Sequence, residues 1–365
     1  LEKWDADSTT DLMKHWFSTD GIGLDKDKNR YWNMDNEPEI WSGTHDDVMP
    51  VQISAEEFMQ RYIAVAKKAR EKFPEIKLVG PVTANEWQWY NWNNKTITVD
   101  GKNYPWLEYF IKTIAEAQKT SGVKLLDVLD IHFYPSTQKT EEVVQLHRVF
   151  FDKTFSFPEA NGVKNISGSY DNRITQEYIF VRCNEWLEKY LGSGHGVTLA
   201  LTETGLADAV KPPVTSVWYA SMMGEFMRNG VEIFTPWTWK TGMWETLHLF
   251  SQYNRELSIS GISDQENLVS AYPTITASGD SMTVVLVNRS ATLNQDVKLT
   301  FEHFNPAPGA VQLYTLSQLP DSETFRSKSE NALKKSTVNY DGGNFNVKLP
   351  PMSVTSIQLR GGNIL

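Results

Sequence analysis

The sequence predicts an α/β fold: a parallel (β/α)8 barrel of the TIM type, followed by an antiparallel β-sandwich. From about residue 9 to 239, amphipathic helical stretches alternate with short apolar runs, as repeated β-α units do. After about Asn254, short runs that alternate or are apolar lie between Gly, Asn, Ser and Pro breaks, which is typical of antiparallel strands. A length of 365 residues allows two cores, which we assign to residues 1–255 and 256–365.

The apolar runs of the first region are the predicted barrel strands: Arg30–Glu37, Lys77–Val82, Leu125–Tyr134, Val197–Thr204 and Glu232–Trp239. An eight-stranded barrel needs three more strands ahead of Arg30, whereas the preceding residues predict a helix and a loop. We therefore expect the chain to begin inside its barrel, with the N-terminal units on a separate chain, removed, or absent from this sequence. An open parallel sheet of five strands is the rival interpretation.

Helices are predicted between these strands. Ser54 with Glu57 three residues later forms a capping box at the start of one of them. Further helices are predicted near 106–118, over 175–190 and from Thr215 onward, each as an outer-ring barrel helix. Cys183 lies in the second of these, where we expect a buried, unreactive thiol.

The sandwich strands are predicted at 271–276, 281–288, 296–301, 310–314, 344–349 and 353–359. The polar segment Pro320–Ser336 between them is interpreted as a surface excursion. Because no row of aromatic residues is evident in this region, we expect it to brace the barrel rather than to bind a ligand.

Composition excludes several classes of function. The net charge is -10, from 35 Lys and Arg against 45 Asp and Glu, and no basic run occurs, so nucleic acid is not an expected partner. No apolar run approaches the roughly 20 residues that span a bilayer, and a membrane partner is not expected either. The sequence has no Gly-rich phosphate loop, cysteine pair or serine-nucleophile elbow, which argues against nucleotide, redox and esterase chemistry.

Two glutamates end predicted strands. Pro38 stops the first strand, which places Asn36 and Glu37 at the carboxyl end of the sheet, where barrel enzymes assemble their active sites. The apolar run 199–201 leads directly to Glu203, and burying a carboxylate there without a purpose would be costly. Cleavage of a glycosidic bond requires two carboxyl groups that face one bond, and this pair can supply them.

Other polar residues are predicted around the pair. His132 and Tyr134 are alternate residues at the end of a strand, so they point the same way, and we expect them near Glu203 or the substrate. Each has a plain alternative as a satisfied core residue. Asn36, next to Glu37, is a candidate for holding the 2-hydroxyl of the reacting sugar.

Several segments resemble glycoside hydrolase family 44: 35–38, 41–45, 125–135, 202–203, 247–250 and 283–290. The resemblance covers most of residues 30–290. It implies an endo-acting, retaining enzyme that cleaves β-1,4-glucans such as cellulose or xyloglucan, with Glu37 as acid/base and Glu203 as nucleophile. The sequence departs from the family pattern after Glu203, where Thr204 stands in place of an expected aromatic residue or Asn.

Aromatic residues are candidates for stacking on sugar rings, whose C–H faces pack on flat side chains. Trp87 and Trp89 lie in a segment that follows a strand, and Trp41, Trp237 and Trp239 lie at strand ends. A local aromatic cluster that covers the barrel end is the alternative for the first two. The proposed chemistry requires no cofactor; a structural calcium or zinc ion around His45, Asp46 and Asp47 is a weaker possibility than a solvated acidic turn.

Two alternative functions remain open on the sequence. The first keeps the mechanism and changes the polymer, as in a related xylanase, mannanase or agarase. The second is a carbohydrate-binding barrel without catalysis, against which the retention of both glutamates argues. Since polymers do not enter cells, we expect a secreted protein, although the first residues show no signal peptide.

Overall fold

A computed structural model describes residues 4–160 and 173–362. Its helices are α1 (Ala6–Phe17), α2 (Trp41–Thr44), α3 (Ala55–Lys72), α4 (Trp106–Ser121), α5 (Thr140–Val143), α6 (Arg148–Phe151), α7 (Ile179–Leu191), α8 (Pro212–Arg228) and α9 (Met243–Tyr253). A 3-10 turn, Pro38–Ile40, precedes α2. No helix in these ranges is both long and apolar enough to cross a bilayer.

The first group of strands comprises β1 (Tyr31–Asn33), β2 (Lys77–Thr83), β3 (Ile97–Val99), β4 (Lys102–Tyr104), β5 (Val128–Phe133), β6 (Thr198–Thr204) and β7 (Ile233–Phe234). The second group comprises β8 (Leu257–Ser258), β9 (Val269–Ile275), β10 (Ser281–Asn288), β11 (Gln295–Leu299), β12 (Gly309–Leu316), β13 (Lys334–Tyr340), β14 (Phe345–Leu349) and β15 (Ser353–Arg360).

The predicted barrel strands form one sheet. In the described part of the chain its order is β1-β2-β5-β6-β7, and every neighbouring pair is parallel. Each of the five strands lies inside, or within one residue of, a run that the sequence predicts. Because the order in the sheet follows the order in the chain, all the carboxyl ends lie at one edge, as in a segment of a (β/α)8 barrel.

The described residues divide into two compact units. Unit 1 takes its members from Leu1–Tyr134, Val149–Gly205 and Val231–Trp237, and therefore contains the whole parallel sheet. Unit 2 takes its members from Pro135–Arg148, Leu206–Gly230 and Thr238–Leu365, so α8 and α9 group with the sandwich strands. The predicted boundary between residues 255 and 256 remains a prediction.

Helix α3 illustrates how unit 1 is built. The Ser54 hydroxyl accepts a hydrogen bond from the backbone N–H of Glu57 at 3.1 Å, as the capping box predicts. One face of the helix buries Phe58 and Tyr62. A Cβ atom on Gly80 would lie only 2.7 Å from the nearest atom of the Tyr62 ring. A side chain at position 80 would therefore separate this helix from β2.

The sandwich of unit 2 has an apolar core shared by β9, β10, β12, β14 and β15, with Leu286, Leu313, Leu349 and Ile357 among its buried residues. Pro320–Ser336 is largely exposed, as a surface excursion predicts, but its last residues, from Lys334, begin strand β13. This strand pairs antiparallel with β12 and is exposed along most of its length. A charged, solvated edge strand has little apolar periodicity, so its sequence gives a weak signal.

Candidate active site

The two predicted carboxylates follow strands that are not neighbours. Glu37 comes shortly after β1 and Glu203 lies in β6, with β2 and β5 between them in the sheet. In a flat sheet, three strand intervals would separate them by about 14 Å. Carboxylate oxygens of the two residues instead lie within 4.8 Å of each other. The curvature of the sheet therefore brings the two side chains together at its carboxyl end.

His132 lies between the two carboxylates. Its Nδ1 is 3.0 Å from Glu37 Oε1 and 3.6 Å from Glu203 Oε2. The imidazole is fully buried, whereas about a fifth of each carboxylate side chain is exposed. The first distance is a hydrogen bond and the second is too long for one, so His132 contacts Glu37 rather than Glu203.

A β-bulge in β6 explains how this contact forms. The register between β5 and β6 shifts between Ile131 and His132, where Thr202 is the extra residue. Successive residues of a regular strand point to opposite faces, but a bulge re-aims a side chain locally. Thr202 and Glu203 can therefore both approach the same imidazole, with Thr202 Oγ1 lying 3.2 Å from His132 Nε2.

A second irregularity positions Glu37. The register of β2 against β5 shifts between Pro81 and Thr83, and Val82 has a φ of 62°. The carbonyl of Val82 accepts the backbone N–H of Glu37 at 2.9 Å. Glu37 itself has a φ of 46°, in the left-handed region that non-glycine residues seldom adopt. Such a conformation persists only where its surroundings hold it, and it is common at functional sites.

Glu203 has its own donor. The Tyr134 hydroxyl donates to Glu203 Oε2 at 2.7 Å. Burial, followed by this hydrogen bond and the negative charge of Glu203, raises the pKa of Tyr134, so the phenol keeps its proton. The Tyr134 phenol is therefore a lasting hydrogen-bond donor to one oxygen of Glu203.

Asp130 lies behind His132 and was not predicted. Thr202 donates to it twice, from the backbone N–H to Oδ1 at 3.1 Å and from the hydroxyl to Oδ2 at 2.5 Å. Asp130 is fully buried, and burial raises its pKa to about 6, although the bonds from Thr202 oppose that rise. A charged residue type within the apolar run 125–134 is the sequence signal that could have found it.

Glu39 is a second unpredicted carboxylate, two residues after Glu37. It is fully buried, and burial raises its pKa to about 7. The Trp106 indole donates to Oε1 at 2.6 Å, and the backbone N–H of Ala84 approaches Oε2 at 3.3 Å. These bonds fix the turn that carries Glu37 to the end of β2 and to α4.

An open cleft of about 610 Å³ borders Glu203. Asn36, His132, Thr202 and Glu203 line one part of it, and residues of β1, of β7 and on either side of β7 line the rest. Asn36 is exposed, as a residue that contacts a ligand must be, and its backbone N–H bonds to Asp35 Oδ1 at 2.7 Å.

The predicted tryptophans of unit 1 separate into two groups. Trp89 is fully buried, stacks on Phe133 and donates to the carbonyl of His132, so the prediction that it stacks on a sugar is corrected by its burial. Trp41 is also buried, and its indole donates to the carbonyl of Asn36 at 2.8 Å. Trp87 and Trp237 are exposed, by 49% and 68%, and remain candidates for sugar contacts.

Trp239 belongs to unit 2. Its ring stacks on Trp244, with centroids 4.1 Å apart and planes 15° from parallel, and both rings are partly exposed. The predicted contact between Trp239 and substrate remains a prediction.

The predicted metal position around His45, Asp46 and Asp47 lies in an exposed turn and remains a prediction. Among residues 4–160 and 173–362, the one His, Cys, Asp and Glu group of three or more with ligand-like spacing is Glu37, His132 and Glu203. The hydrogen bond between His132 and Glu37 equally suits proton transfer, which needs no metal.

The parallel sheet holds two carboxylates close together at its carboxyl end, which is the pairing that cleavage of a glycosidic bond requires. The family model described as glycoside hydrolase family 44 matches residues 2–137, which confirms the predicted resemblance over that part of the chain. Beta-mannanase/endoglucanase A of Caldicellulosiruptor saccharolyticus is 23% identical over 303 residues, which cover 73% of this chain and 22% of that protein. The chain thus spans under a quarter of this curated relative.

Solved structures confirm the predicted fold. CelM2, described as a bifunctional glucanase-xylanase from a metagenome library, superposes with a TM-score of 0.79 and 20% identity, covering 99% of this chain and 70% of its own. A Paenibacillus polymyxa family 44 xyloglucanase, solved with xyloglucan, gives a TM-score of 0.73 and 17% identity, covering 98% and 70%. These similarities favour the barrel over an open five-stranded sheet.

Proposed function

We propose that this chain carries the catalytic centre of a secreted, endo-acting, retaining glycoside hydrolase that cleaves β-1,4-glucans, with Glu37 as acid/base and Glu203 as nucleophile. One observation carries the proposal: oxygens of the two carboxylates lie within 4.8 Å of each other. Retaining glycosidases hold their carboxyl groups about 5 to 5.5 Å apart, whereas inverting enzymes need roughly 6.5 to 9.5 Å to admit a water molecule.

In the first step, the Glu203 carboxylate attacks the anomeric carbon while the bond to the leaving oxygen breaks. Glu37 gives that oxygen its proton. Glu203 suits the role of nucleophile because the Tyr134 hydroxyl stabilises its charge. Glu37 suits the role of acid because His132 Nδ1 is within hydrogen-bonding distance of its Oε1.

In the second step, water attacks the glycosyl-enzyme ester and Glu37 accepts a proton from it. The sugar leaves with the configuration it had in the substrate, and Glu203 returns as a carboxylate. Asn36 lines the cleft beside Glu203 and is our candidate for binding the 2-hydroxyl of the reacting sugar, where a hydrogen bond strengthens in the transition state.

Two observations support a β-1,4-glucan as the polymer. The relatives are named as endoglucanases, a mannanase, a xylanase or a xyloglucanase, and cellulose and xyloglucan share the β-1,4-glucan backbone. The exposed Trp87 and Trp237 can pack on glucose rings, whose C–H bonds all lie on the two faces. Mannan or xylan is the second candidate substrate. One relative is named as both a mannanase and an endoglucanase, and another as both a glucanase and a xylanase.

The test measures the chain on xyloglucan, carboxymethyl cellulose, xylan, mannan and agarose. We expect the highest kcat/KM on a glucan, with internal cleavage seen as a rapid fall in viscosity, and NMR of early products should show the β-anomer. An initial α-anomer would exclude the retaining mechanism.

Azide rescue assigns the two roles. Glu37→Ala should yield a β-glycosyl azide, because azide attacks the intermediate in place of water, and Glu203→Ala should yield an α-glycosyl azide. Glu75→Gln, which changes an exposed glutamate of unit 1, is the control and should retain full activity. Binding of glucan without turnover by the unaltered chain would favour a carbohydrate-binding protein.

A further inference from the structure

The polar residues behind the catalytic pair form one connected chain of hydrogen bonds. It runs from Asp130 to the Thr202 hydroxyl, at 2.5 Å, and from there to His132 Nε2, at 3.2 Å. On the opposite side of the ring, Nδ1 meets Glu37 Oε1 at 3.0 Å. Every contact is made by residues of β5, β6 or the turn after β1.

The direction of these hydrogen bonds follows from counting protons. Above its raised pKa of about 6, Asp130 is ionised and accepts only, so the Thr202 hydroxyl must donate its single proton to Asp130. The hydroxyl oxygen then faces His132 Nε2 with a lone pair, and Nε2 must carry a proton to bond to it. A neutral imidazole with its proton on Nε2 has a bare Nδ1, which faces Glu37.

A bare nitrogen 3.0 Å from Glu37 Oε1 needs a proton between the two atoms. Glu203 cannot provide it, because Glu203 already accepts from Tyr134 and lies 3.6 Å from Nδ1. The proton between these atoms therefore belongs to the His132–Glu37 pair, and with a neutral imidazole it lies on Glu37.

We propose that Asp130, acting through the Thr202 hydroxyl, fixes His132 with a proton on Nε2, and that the resulting bare Nδ1 keeps Glu37 in its proton-bearing form. Asp130, Thr202 and His132 are positioning residues, because they act on the leaving group through Glu37. The inference deepens the proposed function and rests on it for the role of Glu37 as acid.

The substitution Asp130→Asn should invert this arrangement. The Asn side chain can accept from the Thr202 backbone N–H with its oxygen, but its amide group then donates to the Thr202 hydroxyl. The hydroxyl proton turns to His132 Nε2, which releases its own proton to solvent, and the proton that lay between Nδ1 and Glu37 stays on Nδ1. Nδ1–H then donates to Glu37 as a carboxylate, so the acid has no proton to give.

The test compares two substrates in the full chain. A cello-oligosaccharide has a poor leaving group that needs a proton, whereas a dinitrophenyl β-cellobioside has one that does not. We expect Asp130→Asn to lower kcat/KM on the oligosaccharide by about 10²-fold, within the range for loss of a general acid, and to change the aryl glycoside by less than about a tenth of that factor. An equal loss on both substrates would indicate a structural role and overturn the inference.

Matched threonine variants separate the relay from a general loss of hydrogen bonds. Thr202→Val should reproduce the substrate split, and Thr202→Ser, which keeps the hydroxyl, should restore wild-type behaviour. Thr198→Val is the control, because Thr198 lies on the same strand and also donates to a carboxylate at 2.5 Å, that of Glu232. It should leave the ratio between the two substrates unchanged.

NMR of 15N-labelled histidine tests the relay without any turnover. The His132 signal, assigned from its loss in His132→Gln, should show a protonated Nε2 in the unaltered chain and a bare Nε2 in Asp130→Asn. A protonated Nε2 in both proteins would exclude the relay even if the hydrolase activity is real. Wild-type tautomers together with absent hydrolysis would instead reject the proposed function and leave the relay standing.

Discussion

The two ends of the parallel sheet hold similar side chains in opposite electrostatic settings. At the amino end, Glu232 accepts from the Tyr31 hydroxyl at 2.6 Å, the Thr198 hydroxyl at 2.5 Å and the Lys77 ammonium. At the carboxyl end, Glu203 also accepts from a tyrosine and lies beside a threonine, but its charged neighbour is another carboxylate. Lys77 is the nitrogen group that contacts the carboxylate at the amino end, and His132 is the one that contacts a carboxylate, Glu37, at the carboxyl end.

The difference teaches why only one end suits proton transfer. Lys77 balances the charge of Glu232, and although burial opposes it, the donors lower the pKa of Glu232, so this glutamate stays ionised. At the carboxyl end, Glu203 lies near the Glu37 carboxylate, and the nitrogen group beside them is the imidazole of His132, hydrogen-bonded to Glu37, rather than an ammonium group. We therefore expect substitutions of Glu37 and Glu203 to change turnover, and a substitution of Glu232 to leave turnover largely intact.

The largest effect should come from Glu203→Gln. Loss of the proposed nucleophile should lower kcat on an aryl cellobioside by at least about 10³-fold, because a glutamine amide cannot form the covalent glycosyl-enzyme intermediate. Glu232→Gln provides the matched substitution at the amino end and should retain most of the activity. Comparable losses in both variants would remove the distinction between the two ends.

The next effect should come from Glu37→Gln. We expect kcat/KM on a polysaccharide to fall by about 10² to 10⁴-fold, since general acid catalysis contributes that much, while hydrolysis of a dinitrophenyl glycoside starts normally. Burst kinetics on the aryl substrate would show accumulation of the intermediate. A uniform loss on both substrates would contradict the assignment of Glu37 as the acid.

The third prediction concerns stability at the carboxyl end. Burial raises the pKa of Asp130 from 3.8 to about 6, so the folded chain binds a proton that the unfolded chain has released between these values. The free energy of unfolding of the wild type, relative to Asp130→Asn, should therefore fall by about 3 kcal/mol as pH rises from 3.8 to above 6. Urea unfolding at several pH values measures this, and a flat difference would contradict the buried, protonatable state.

The smallest predicted effect is at the amino end, where the contribution of Glu232 to the free energy of unfolding depends on pH in the opposite direction. The pKa of Glu232 is lowered from 4.5, so its contribution to stability is present above that value and is lost as pH falls through the folded pKa. Glu232→Gln should cost about 1 kcal/mol at pH 7 and progressively less below pH 4.5, since the group is partly solvated. The same urea series measures it, and a cost that grows in acid would contradict this sign.

The positions of Glu37 and Glu203 along the strands could be predicted from the sequence, because a proline or the end of an apolar run marks where a parallel strand stops. Their separation could not be predicted, since it depends on sheet curvature and on two register shifts, at Val82 and at Thr202. His132 was predicted near Glu203 from strand alternation alone. The bulge at Thr202 leaves the imidazole closer to Glu37.

Burial in loops was harder to predict than burial in strands. The segment 85–92 has no helix or strand period, so Trp87 and Trp89 look equivalent in the sequence, yet one is exposed and the other fully buried. The hairpin of β3 and β4 was missed although Asp100 and Gly101, both with positive φ, form a recognised turn signal. Tertiary contacts decide which of the two tryptophans is buried, whereas the Asp-Gly pair alone was a sufficient signal for the hairpin.

The buried anchor at Glu39 has a practical consequence for engineering. Since the indole of Trp106 and the backbone of Ala84 hold the turn from beneath, the orientation of Glu37 does not rely on the exposed residues 43–48. Those residues are therefore a suitable place for substitutions that must leave the position of Glu37 unchanged.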